Sequence, residues 1–140
     1  MPVANAPAML SLCRDPLRPA DAYWLPTPRD IAELEGRLPA YVRDTAPSHW
    51  KGRWPGVNLD DYHRQYAGVI RGKTKYIIVN LFDFKFDPRA TSTWRREVVN
   101  VCDGGWYFMT VEYDAMSQSF VSFSIGGGYL TNVGAGRESR

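Results

Sequence analysis

Near Tyr62 the residue periodicity of this chain changes from three-to-four to two, and that switch restricts the architectures open to it. Before it, Ile31, Leu34, Leu38, Tyr41 and Val42 recur at spacings of three and four, which puts one apolar stripe on a helix, while Arg29, Glu33, Arg37 and Arg43 fall elsewhere on its surface. The helix start is encoded in Thr27-Pro28-Arg29-Asp30. Thr27 offers a capping oxygen, Pro28 suits the first helical position, where no amide donor is needed, and Asp30 meets the positive end of the helix. Pro39 lacks a donor inside the run, which predicts a kink near Leu38.

Beyond the switch come five runs rich in β-branched and aromatic residues: Tyr62 to Arg71, Lys75 to Phe82, Trp94 to Cys102, Trp106 to Tyr113 and Ser119 to Ile125. Turn chemistry separates them at Arg71-Gly72-Lys73-Thr74, along Asp83 to Thr93, at Asp103-Gly104-Gly105 and from Asp114 to Gln118. All connections but one are too short for a crossover helix, so the strands are expected to pair antiparallel as a meander in the order 1-2-3-4-5. The helical stripe needs an apolar surface to cover it. The smallest consistent fold is α+β, an N-terminal amphipathic helix packed on a curled five-stranded antiparallel meander sheet, cystatin-like or related. A closed barrel with the helix as lid is the competing arrangement.

With 44% hydrophobic and 23% charged residues over 140 positions, one globular domain is expected. Its body spans residues 23–133. Pro2, Pro7, Pro16 and Pro19 make 1–22 an extended arm over the body or partly disordered, anchored by Tyr23 and Trp24, and 134–140 is a fraying tail. A net charge of +2 is too small to draw in nucleic acid or an anionic membrane, and no apolar run approaches the roughly 20 residues that cross a bilayer. The start, Met1 to Leu12, has no basic region ahead of its apolar residues, so the literal reading is cytoplasmic. A chain whose leader had been lost would read the same while being periplasmic or secreted. Cys13 and Cys102 allow one disulfide or two reduced thiols, a choice that compartment decides.

The segments Tyr62-His63-Arg64-Gln65-Tyr66-Ala67-Gly68, Tyr76-Ile77-Ile78-Val79-Asn80-Leu81-Phe82, Trp94-Arg95-Arg96-Glu97 and Val101-Cys102-Asp103-Gly104-Gly105, with Trp24-Leu25-Pro26-Thr27-Pro28 before the helix, are similar to a group of small bacterial proteins of unknown function. The resemblance covers roughly residues 23 to 125. Its most specific elements are the Tyr-x-Arg-Gln-Tyr-x-Gly strand and the Cys-Asp-Gly-Gly turn. It implies no activity, ligand or functional residue. Members of such groups are often exported.

Candidate chemistry is sparse. His49 and His63 are the only histidines, and no His-x-x-x-His or Cys-x-x-Cys spacing is present, so no metal site or cofactor is expected. Asp61 and His63, two apart, would share one face of a strand, where the carboxylate could orient the imidazole as a general base; the bland alternative is a half-exposed strand residue. Cys102 sits at a turn whose amides could stabilise a thiolate, yet Asp103 beside it would raise the thiol pKa, and a disulfide or buried thiol is the simpler reading. The glycines of that turn are read as serving positive φ rather than phosphate binding.

Trp50, Arg53 and Trp54, with Tyr62, Arg64 and Tyr66 soon after and Lys51 among them, combine cations with aromatic faces, a composition found where proteins meet partners. The alternative is that Trp50 and Trp54 pin the long Thr45 to Asp60 loop to the body. Asp83 to Arg89 is a second charged and aromatic loop. Three functional expectations follow: a non-enzymatic protein-binding or inhibitor-like module using the aromatic and basic loop; a small enzyme or ligand-binding protein with a helix/sheet pocket near His63 and Asp61; and a self-associating domain, such as a homodimer. The expected partner is another protein.

Overall fold

The computed structural model describes residues 6–10, 17–83, 94–99 and 105–126. Their elements, in chain order, are α1 (Ala6–Met9), β1 (Ala22–Trp24), α2 (Pro28–Thr45), β2 (His63–Arg71), β3 (Thr74–Phe82), β4 (Gly105–Asp114) and β5 (Ser119–Gly126), with short 3-10 turns at Ala46–His49 and Leu59–Asp61. The fold is α+β: one open antiparallel sheet in the order β1-β2-β3-β4-β5, with α2 across one face.

Helix α2 starts where its sequence dictates. The Thr27 hydroxyl accepts a hydrogen bond from the Asp30 amide at 3.1 Å, and the Asp30 carboxylate accepts one from the Thr27 amide at 2.9 Å. This reciprocal cap satisfies two otherwise orphaned donors. It also holds the Asp30 carboxyl below its usual pKa, the backbone bond from Thr27 being the largest cause. Pro39 does not divide the helix, which runs on to Thr45. Leu34, Leu38 and Val42 are buried against Tyr66 of β2, Ile77, Val79 and Leu81 of β3, Met109 and Val111 of β4, and Phe123 and Ile125 of β5, with Ile31 and Tyr41 packed at the margin. Each fully buried aliphatic side chain contributes about 1.5–3 kcal/mol.

Two expectations are corrected. The helix is not the first element, since β1 and α1 precede it, and the sheet takes its outer strand from Ala22–Trp24 at the end of the presumed arm. The run Trp94 to Cys102 is not a strand over the part described, 94–99, which is a turn followed by irregular chain; β3 pairs directly with β4. The numerical strand order survives with different strands in it.

β1 reaches β2 through one close approach. Gly68 faces Trp24, and a Cβ there would collide with the Trp24 backbone oxygen and indole ring. Trp24 then spans β2 to donate from its indole nitrogen to the Tyr76 carbonyl at 3.0 Å.

The opposite sheet face is covered too. Met9 of α1 packs on Ala67, Val69 and Ile78, with Leu10, Leu17 and Ala20 alongside. Trp94 and Val99 pack on Phe82 and Phe108. Burial on both faces explains why β3 and β4 read as nearly continuous buried runs instead of clean alternation.

Polar groups do the fastening on this side. The register aligns Gln65, Asn80, Thr110 and Ser124 in one row across four strands. Gln65 donates to the carbonyls of Trp94 and Glu97, both at 2.6 Å, and accepts from the Val99 amide at 2.9 Å. Asn80 donates to Gln65 at 3.0 Å and to the Val99 carbonyl at 2.8 Å. Further along, the Arg71 guanidinium donates to Glu112 at 2.7 Å and to the carbonyls of Arg18 and Pro19, while Ser122 donates to the second Glu112 oxygen. Arg71 thereby ties the arm to β2.

Candidate functional site

The chain leaves α2 through the Ala46–His49 turn and enters a loop whose aromatic residues fold back towards the sheet end. Trp50 meets Trp54 edge to face at 6.2 Å and meets Trp106 of β4 edge to face at 5.1 Å; Trp106 stacks on Tyr107 at 5.7 Å. Gly105, at φ +60°, opens β4 in the left-handed region that favours glycine, and a side chain there would touch the Trp50 ring at 3.5 Å. Trp50, Trp54 and Trp106 are all half-buried, and Trp50 and Trp54 pack against the main core. That packing pins the loop to the body. Lys51 and Arg53, between the two rings in the chain, are exposed.

Trp54 also forms one wall of a groove of about 450 Å³. Pro39, Val42 and Arg43 of α2 form the other wall, and Gly56, Val57, Asn58, Leu59 and Asp60 complete it. The Asn58 side chain accepts from the Asp60 amide at 3.0 Å, which sets the short turn that closes the loop wall.

Tyr62, Arg64 and Tyr66 do not extend the aromatic and basic surface, because each is committed inwards. Tyr62 is buried and donates its hydroxyl to the Trp106 carbonyl. Tyr66 is fully buried and donates to Glu35 of α2 at 2.6 Å. Arg64 pairs with the same carboxylate at 3.1 Å and donates to the carbonyls of Leu59 and Tyr62, each at 2.7 Å. Burial, above all, pushes both phenol pKa values well up, and in Tyr66 the hydrogen bond to Glu35 adds to it. Sequence reading missed Glu35, although its position beside the Leu34 and Leu38 stripe was a usable sign.

His63 and Asp61 are separated by the local fold. Asp61 closes the Leu59–Asp61 turn and is exposed, whereas the strand begins at His63, so the two do not sit as alternate residues of one strand. The His63 ring lies against Phe82 at 5.9 Å and Trp94 at 4.9 Å. Burial lowers its pKa, Arg95 and Arg64 push the same way, and the Asp83 charge opposes them.

Cys13 and Cys102, and the Asp83 to Arg89 loop beyond Asp83, lie outside the described residues. Among the described residues no three His, Cys, Asp or Glu side chains gather as a metal site would require, and no helix is long and apolar enough to cross a membrane. No family model, curated protein or solved structure matches the chain.

Proposed function

We propose that the protein is a non-enzymatic binding or inhibitor-like module, of cystatin-like or related helix-in-sheet type, that engages another protein through the loop carrying Trp50, Arg53 and Trp54. The observation that carries this reading is the position of Trp54: its half-buried ring is shared between the aromatic cluster and the groove, and Arg53, the residue before it in the chain, is exposed. A large ring held in place by packing offers contact area at low entropic cost, and a neighbouring Arg supplies directional pairing to carboxylates.

The test compares wild type, Trp54→Ala and Arg53→Glu as bait in extracts of the cells that make the protein. The expected result is one specifically retained protein, lost with either variant. Arg53→Glu should leave the melting temperature within a degree or two, as expected for an exposed position (~0.5 kcal/mol or less). Retention of the same protein by both folded variants would reject the reading.

A further inference from the structure

Resting on that reading, we infer that the groove between α2 and the Trp54 to Asp60 loop takes an extended peptide segment of the partner in which an apolar side chain is flanked by a carboxylate and a cation. The base of the groove is apolar: Val42 and Leu59 are buried, Val57 is half-buried, and the Trp54 ring closes one side. Its volume of about 450 Å³ lies at the lower end of ligand-sized cavities, enough for one or two large side chains.

The two walls carry opposite charges. Arg43 stands on the helix wall and Asp60 on the loop wall, and both are exposed. Arg43 is at present paired with Asp44, its own neighbour in the chain, at 2.9 Å, with the two side chains 73% and 67% exposed. An ion pair that open to solvent contributes little, so a partner carboxylate can take the place of Asp44 at small cost. Asp60 offers the complementary acceptor for a Lys or Arg of the segment. Neither wall needs rebuilding: core packing of Val42 fixes the helix side, and the Asn58 cap with the Asp61 amide to Asn58 carbonyl bond at 3.0 Å fixes the loop side. A preformed apolar slot with one charge of each sign on its rims selects against uniformly acidic or uniformly basic partners.

Fluorescence polarisation with two blocked, labelled hexapeptides tests this, one Gly-Glu-Leu-Leu-Lys-Gly and one with Gln in place of Glu and Lys. The charged peptide should bind roughly fivefold more tightly than the Gln peptide, and Arg43→Glu or Asp60→Lys should each remove that margin. Methyl shifts on binding should fall on Val42, Val57 and Leu59. Both variants alter exposed side chains, and thermal melts check that they fold. Equal affinity for the two peptides, no binding of either, or shifts located elsewhere would overturn the inference. If Trp54→Ala abolishes partner capture while Arg43→Glu and Asp60→Lys preserve it, the module still binds protein and this account of its groove fails.

Discussion

The sheet has two buried faces, and they are held by different forces. Under α2 the contacts are almost wholly apolar, Leu34, Leu38 and Val42 against Val79, Met109, Val111 and Phe123, with the Glu35, Arg64 and Tyr66 cluster at one side. Under the arm and the 94–99 segment, apolar patches alternate with polar rows, and it is the amide side chains of Gln65 and Asn80 and the Arg71 guanidinium that grip the covering chain by its carbonyls. A regular helix satisfies its own backbone and needs only a greasy partner. Irregular chain cannot, so a sheet that buries it must supply the missing donors and acceptors from side chains.

Removing core volume from the helix face should have the largest effect. Leu38→Ala, at a fully buried position, is expected to cost about 2–5 kcal/mol, read as a lower denaturant midpoint with an unchanged slope, because the whole domain loses stability together. An effect below 0.5 kcal/mol would mean that the helix is not integral to the core.

On the other face, Gln65→Leu keeps the volume but strands the Trp94 and Glu97 carbonyls and the Val99 amide, at a cost of about 1–3 kcal/mol. Its signature should be local. Hydrogen exchange is expected to accelerate at Val99 well before the α2 amides respond, and uniform acceleration would erase the distinction between the faces.

The smallest effect comes from acid. Because the His63 pKa in the folded state lies below its ordinary value of 6.5, the unfolded chain binds more protons just under that value. The stability owed to a neutral His63 is thus complete above about pH 6.5 and declines as pH falls towards the depressed folded value. His63→Phe should flatten the melting temperature between about pH 6.5 and 5, before carboxylates titrate. An identical decline in the variant would assign the acid sensitivity to other groups.

How legible these regions were in the sequence follows the same division. α2 and its cap, and the strands β2, β3, β4 and β5, could be read within a residue or so because stripe, cap and turn residues are local signals. β1 could not: three residues carry no period, and its place depends on Gly68, 44 positions after Trp24. Trp94 to Val99 resembled a strand because Trp and Val report burial, and burial here comes without a ladder. In the candidate site, Trp50, Arg53 and Trp54 stayed at or near the surface. Tyr62, Arg64 and Tyr66 turned inwards because Glu35 and the Trp106 carbonyl are nonlocal partners that composition cannot show.

The grip of Arg71 on the carbonyls of Arg18 and Pro19 has a practical bearing on how the protein can be trimmed for laboratory work. A version beginning at Asp21 would keep all five strands and α2, and by element count would look complete. It would also lay Ala67, Val69 and Ile78 bare beside a half-solvated ion pair, leaving a sticky flank that favours clumping over clean expression.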